Sequence, residues 1–278
     1  MSDLTGKVAV VLGASAEGGT GWGVAEGLAA KGARVVVAAR SYEPLTKLAA
    51  KIDGTAVQCD AGDETQIKSL RDRTLDQYGR IDIAVNSAAT PTLGLISNLT
   101  PELLQQGVQV NYFGMAYFVR FMAEGMSGAG SIVLISSMST THPIFPHFAY
   151  ACGKAATECL VRYAALEYGP RQIRVNGIRI ATVLSEMARS HYTAPGVTER
   201  FVQEIPLGRL GQPADMADAV AWLCGPAFIT GSILDISGGN QLNRFPFIQE
   251  LPGQGSSYEG AGSLFDRSQG RGTTFKGV

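Results

Sequence analysis

Several things are scarce in this chain. Its 278 residues hold four cysteines and three histidines, and the formal net charge is −1. No apolar run approaches the roughly 18 residues that a spanning helix needs, which excludes a helical membrane protein. Cys59, Cys152, Cys159 and Cys224 follow neither a disulfide nor a zinc spacing. Reduced thiols in a cytoplasmic protein are expected. The near-neutral charge offers no basic footprint for nucleic acid. His142 and His147 stand five apart in a proline-containing loop, without a thiol or carboxylate cluster, so no metal site is expected. The opening Met1-Ser2-Asp3-Leu4-Thr5-Gly6-Lys7 runs straight into a strand-like segment and does not read as a secretory leader.

What is present is a Tyr150-x-x-x-Lys154 pair, with Ser137 thirteen residues upstream at the end of an apolar run. On a helix, positions i and i+4 share a face, so the ammonium sits beside the phenol. A neighbouring cation is expected to lower a tyrosine pKa from its reference of about 10. Such a phenol gives a proton to a ketone oxygen or takes one from an alcohol. A serine hydroxyl at the same oxygen polarises and positions it. This is carbonyl–alcohol chemistry, and it needs a hydride carrier.

A place for that carrier lies at the start of the chain. Lys7–Leu12 reads as a buried strand, followed by a glycine-rich turn through Gly13, Ser15, Gly19 and Gly21, a helix, and a second strand over 34–39. Glycines let the backbone approach a pyrophosphate, and the helix N-terminus favours the anion. The strand–turn–helix–strand context gives the glycines their weight.

Strands are expected near 7–12, 34–39, 55–59, 81–85, 131–136, 173–179 and 232–236, with helices near 21–31, 42–52, 63–78, 101–126, 148–168 and 213–224. The alternation predicts an α/β fold: a single doubly wound parallel sheet of about seven strands, helices on both faces. One domain over 1–240 is expected, with a substrate lid over about 184–212 that carries a short helix near 197–204. Residues 241–278 form a separate extension, with seven glycines in 251–278. Two readings stand for it: a loose tail, or an arm packed over the active site or a neighbouring subunit.

In this order, over roughly residues 5 to 240, the motifs resemble the short-chain dehydrogenase/reductase superfamily. Ser137, Tyr150 and Lys154 match its catalytic serine and tyrosine–lysine pair, and Asn111, in V-N-Y-F-G, matches its catalytic asparagine. The resemblance implies a Rossmann-type fold with tyrosine as general acid and base. It also implies that the asparagine backbone helps hold a water linking the lysine to solvent, and that the protein is a homotetramer or, less often, a dimer. Gly13, Gly19 and Gly21 match the cofactor glycines, with Ser15 beside them. Asp60 and Ala61 match the adenine contact, and Asn86 and Ala88 stand in the segment after the fourth strand. Ala181, Val183 and Ser185 fall where the nicotinamide is held. Met138, Phe145, Met187 and Tyr192 are expected to line an apolar substrate pocket.

The chain also departs from the family pattern. Five residues separate Gly13 from Gly19 where three are usual, Leu12 replaces a threonine, and Ile180-Ala181 replaces a proline–glycine pair. After the second strand comes Ala39-Arg40-Ser41, where an acidic residue would hold the ribose of NAD. Arg40 suits a 2′-phosphate, so NADP(H) is favoured over NAD(H); Glu17, in the phosphate loop, points the other way. The expected reaction joins a secondary alcohol and a ketone, with a bulky alicyclic, aromatic or steroid-like substrate. The alternatives are enoyl reduction on the same scaffold and a non-catalytic dinucleotide-binding sensor or scaffold.

Overall fold

The computed structural model describes residues 3–184, 194–247 and 250–252. Seven parallel strands form one sheet: β1 (Val8–Leu12), β2 (Arg34–Ala39), β3 (Thr55–Gln58), β4 (Ile83–Asn86), β5 (Gly130–Ser137), β6 (Ile173–Ile180) and β7 (Ile233–Ile236). Their spatial order is β3-β2-β1-β4-β5-β6-β7. The eight described α-helices are α1 (Thr20–Ala30), α2 (Tyr42–Lys51), α3 (Glu64–Tyr78), α4 (Pro101–Val108), α5 (Gly114–Gly125), α6 (Phe148–Tyr168), α7 (Val197–Val202) and α8 (Pro213–Cys224). Among the described residues no helix is long and apolar enough to cross a membrane.

Apolar runs make the central strands because both sheet faces are covered. In β1 every residue is buried. Val10 and Leu12 pack with Phe118 and Met122 of α5 on one face. Ala9 and Val11 pack with Leu28 of α1 and Leu48 of α2 on the other, the period-two alternation of a strand. Local signals set several helix ends: the Asp63 carboxylate accepts from Gln66 N–H at the start of α3, and Pro101 follows the Thr100 cap of α4. The chain order reverses between β1 and β4, so the loops after these strands diverge and leave a crevice at their carboxyl ends.

The single helix expected over 101–126 is two helices joined by a wide π turn at Gln109–Phe113. The Gly114 N–H reaches back five residues to the Gln109 carbonyl. The Gly107 carbonyl instead receives Asn111 Nδ2 at 3.0 Å. A side-chain amide thus stands in for a backbone donor, and this widening is what the helical pattern does not reveal.

A third apolar cluster, of Met138, Val197, Phe201, Ile205, Leu210 and Phe245, seats α7. The described part of the extension closes over it. Arg244 bonds to Glu250 at 2.8 Å, and Arg200 reaches Glu204 at 2.7 Å and Glu250 at 2.8 Å. The arginine bonds hold the Glu250 carboxyl down at about 2.

At Gly114 a Cβ would collide with the Ala61 carbonyl, whereas at Gly169, also in helical conformation, it would meet open space. Alanine gains about 1 kcal/mol over glycine inside a helix. That gain is outweighed where backbone must move, since overpacking costs about 1–3 kcal/mol. Gly114→Ala should therefore lower the melting temperature by several degrees, and Gly169→Ala should leave it level or raise it, in a thermal unfolding comparison of the two.

Candidate active site

The crevice at the switch point is a cleft of about 360 Å³. Gly13, Ser15, Gly19 and Gly21 form one wall, and Arg40, Asp60, Ala61 and Ala88 continue it. Tyr150 and Lys154 close the far end. Gly13 has φ 92°, which other residues adopt only at a cost. A Cβ there would collide with the backbone of Ala88, and one at Gly21 with the Gly13 carbonyl. The loop after β1, the start of α1 and the loop after β4 therefore lie backbone on backbone.

The residues fit a dinucleotide. Gly19 caps α1 without a side-chain hydrogen bond, and no acidic residue lies in the first turn. The unclaimed N–H groups and the positive helix end open into the cleft beside Gly19, Thr20 and Gly21, an arrangement suited to a phosphate. The Arg40 side chain is exposed and makes no hydrogen bond or ion pair among the described residues. Glu17 is exposed and stands outside the cleft walls, where its charge acts on Lys47 and Lys51 of α2. Asp60 Oδ1 accepts the Gly62 N–H at 2.8 Å, which shapes the turn at the adenine end.

At the other end, Tyr150 lies in the first turn of α6 and walls the cleft; Ser137 terminates β5, and it is the preceding Ser136, not Ser137, that walls the cleft. Ser137 Oγ accepts from Ser139 N–H at 3.2 Å and from Ser139 Oγ at 2.9 Å, and its hydroxyl stands near enough to Tyr150 to favour the phenolate. Lys154 is fully buried, its Nζ donating to the Ile135 carbonyl at 2.8 Å and lying 5.9 Å from the Tyr150 ring centre. Burial alone pushes its ammonium down to about 7. Burial also raises the Tyr150 phenol, with the nearby Ser137 hydroxyl acting against it. This differs from the expectation that the lysine lowers the tyrosine. The cation is itself driven towards neutrality, and desolvation of the phenolate dominates.

Other expected residues fall elsewhere. Asn111 is buried behind the cleft. Its side chain bonds Thr90 O at 2.9 Å and accepts from Thr90 N–H at 3.2 Å, while its carbonyl accepts the Thr157 hydroxyl. Asn86 is buried too; its Oδ1 accepts the Ala88 N–H at 3.0 Å, so it builds the turn without walling the cleft. Ala181 packs against the third apolar cluster, and Val183 pairs with Gly211; neither walls the cleft, whereas Ile180 does. Met138 is fully buried in that cluster and is a core residue, not pocket lining. Phe145 is half-buried outside the cleft walls. Ser185, Met187 and Tyr192 lie outside the described residues, as does most of the extension. Thr20, Cys59, Thr90, Val110 and Ile135 also wall the cleft, although sequence reasoning does not single them out. Only Thr20, at the start of the helix after the glycine turn, carries a positional signal.

Over residues 13–241 the chain matches the family described as enoyl-(acyl carrier protein) reductase. It is 32% identical over 257 residues to the 7alpha-hydroxysteroid dehydrogenase of Escherichia coli (strain K12), covering 89% of this chain and 96% of that one. A short-chain type dehydrogenase/reductase from Mycobacterium ulcerans superposes with a TM-score of 0.85 at 26% identity, covering 90% of this chain and 94% of the other. A single-substitution variant of actinorhodin polyketide ketoreductase with NADPH gives 0.79 at 27% identity, covering 87% and 99%. With the parallel sheet and the glycine cleft walled by Tyr150 and Lys154, these likenesses establish that the chain belongs to the short-chain dehydrogenase/reductase superfamily, as an NAD(P)-dependent oxidoreductase of secondary alcohols and ketones.

Proposed function

We propose that the enzyme uses NADP(H), that Tyr150 is its general acid in reduction and base in oxidation, and that its substrate is a bulky apolar ketone or alcohol. The observation that carries the assignment is Tyr150 in the cleft wall one helical turn before the buried Lys154, with Ser137 at the end of the strand that holds Lys154 through Ile135. The nicotinamide supplies the hydride. Ser137 and Tyr150 hold the substrate oxygen between two hydroxyls. The raised phenol stays protonated near neutral pH, which is the form that donates to a reduced carbonyl. Lys154 orients the tyrosine and stands ready to take up and return a proton. Asn111 fixes the loop at Thr90 and supports the proton path from behind.

Arg40, with Ser41 beside it in the cleft wall, provides a free guanidinium for a 2′-phosphate. The position of Glu17 outside the cleft walls supports this reading, since its charge does not face the phosphate site. The steroid dehydrogenase relative supports a substrate of alicyclic bulk. The domain is read as 1–240, with the lid over about 184–212 and the extension over 241–278, where the described part packs on α7. A cytoplasmic homotetramer or dimer is favoured. Tyr163 and Leu166 on α6 are 71% and 80% exposed, apolar surface of the kind that subunits cover. Enoyl reduction is the second reading, favoured by the description of the matching family.

NADPH should bind more tightly than NADH in a titration, and turnover of a bulky saturated ketone should exceed that of the corresponding enone. The reverse preference would identify an enoyl reductase. Tyr150→Phe should lower kcat by about 10²–10⁴-fold while cofactor binding is kept; full turnover in that variant would remove the tyrosine from the chemistry. Arg40→Asp should move the NADPH:NADH ratio of kcat/KM towards NADH by about tenfold or more, and an unmoved ratio would free Arg40 from the phosphate site.

The lysine makes a separate prediction for the ligand-free protein. Its pKa is about 7 when folded against an ordinary 10.5, so above pH 7 the unfolded chain binds the extra proton and this group's penalty shrinks as pH rises. The window closes near pH 10.5, where the unfolded lysine also loses its proton; the cysteines are common to both proteins and cancel in the comparison. Between those limits the stability of the parent should rise relative to Lys154→Met by about 1 kcal/mol per pH unit in denaturant titrations. Parallel curves would mean that the amine remains charged inside.

A further inference from the structure

A second buried charge sits on α6 one turn beyond the lysine. Tyr150, Lys154 and Glu158 are spaced i, i+4, i+8 and so share one stripe of the helix. The Glu158 side chain is only 8% exposed and pairs with Arg179 of β6, Nη2 to Oε2 at 2.7 Å. Its Oε1 also accepts from Ser136 Oγ at 2.7 Å, Thr140 Oγ1 at 2.8 Å and Arg179 Nε at 3.0 Å. Arg179 continues to Asp235 of β7 at 3.0 Å. One carboxylate therefore ties α6 to the end of β5, to the turn after it and to the two neighbouring strands. Glu158 does not wall the cleft, so it touches neither cofactor nor substrate there.

The connections fall at consecutive positions. Ile135 holds Lys154 through its carbonyl and Ser136 holds Glu158, while Ser137 follows them at the end of β5 and its hydroxyl acts on Tyr150. Thr140 Oγ1 stands 2.9 Å from the Ser137 carbonyl as well. Well-packed apolar residues would stabilise the same contact at least as well as a buried ion pair. What directional bonds add is a fixed register of helix on strand, and a misplacement of about 1 Å at reacting groups costs up to roughly 10²-fold in rate.

We infer that Glu158, held by Arg179, is a positioning residue that seats α6 on β5 and so sets the approach of Ser137 to Tyr150. The inference rests on the reading of those two hydroxyls as the reacting pair. Steady-state kinetics with NADPH and a bulky alicyclic ketone test it, on Glu158→Ala, Glu158→Gln, Ser137→Ala and the double variant Ser137→Ala with Glu158→Ala. Glu158→Ala should lower kcat by about tenfold or more per folded enzyme, with the NADPH Kd changed less than about twofold. Glu158→Gln should recover part of the loss, because the amide oxygen still accepts from Ser136 and Thr140. In the Ser137→Ala background the same Glu158→Ala change should cost less than about twofold, since two groups acting through one contact are not additive. Losses that multiply across the double variant, or a kcat per folded enzyme that stays at the parent value, would overturn it. Thr140→Val removes one neutral partner and serves where Glu158→Ala does not fold; it should lower kcat about threefold alone and not at all in the Ser137→Ala background, and a multiplying loss there overturns the inference equally. Parent-like kcat in Ser137→Ala or Tyr150→Phe would instead sink the reading of the active site itself, a separate result.

Discussion

Close approach of bare backbone is the constraint on which the site depends. Among the contacts that leave no room for a side chain, three join distant segments around the site: Gly13 against Ala88, Gly114 against Ala61, and Gly153 against the Gly107 carbonyl. The first brings the loops after β1 and β4 together and closes one end of the cleft. The second draws α5 onto the turn after β3, where Asp60 and Ala61 shape the adenine end. The third lets α4 lie close on α6, which carries the tyrosine and lysine. Each contact joins segments far apart in sequence. Glycine at these positions is a requirement of distance, and at Gly13 also of a positive φ.

The polar groups built on this frame serve two purposes. Those open to the cleft, such as the uncapped start of α1 and the exposed Arg40, have unsatisfied donors and suit an anionic ligand. Two groups beneath it are satisfied by their neighbours, Asn111 by Thr90 and Gly107 and Glu158 by Arg179, Ser136 and Thr140, whereas Asn86 Nδ2 has no partner among the described residues. Burial then acts on the two titrating groups between them, lifting the Tyr150 phenol and lowering the Lys154 amine. Both are thereby biased towards their neutral forms.

Much of this could be read from the residue order. The strands are short apolar runs, the first helices are bounded by glycines and Asp63, and the i, i+4 spacing of Tyr150 and Lys154 is local. Such signals survive because they depend on neighbours along the chain. The π turn at Asn111 does not show in the sequence, because its cause is a side chain reaching the Gly107 carbonyl and a helix pressed onto Ala61. Met138 looks like pocket lining because it follows Ser137, yet its contacts come from α7 and Phe245. The direction of the tyrosine shift escapes the sequence for a related reason: spacing shows a neighbouring charge, but only packing shows how completely both groups lose water.

The wide turn between α4 and α5 has a consequence for how one stretch of chain is shared. In a helix each residue advances the face by about 100°. One surplus residue at 109–113 therefore rotates the second half relative to the first. Before the turn, α4 presents Gly107 to α6. After it, α5 presents Phe118 and Met122 to the core beside α3. The bulge is a phase shifter, allowing a nearly continuous rod to offer different sides to two partners. Removing a single residue there would keep both halves helical and yet place the wrong side of one of them against its neighbour.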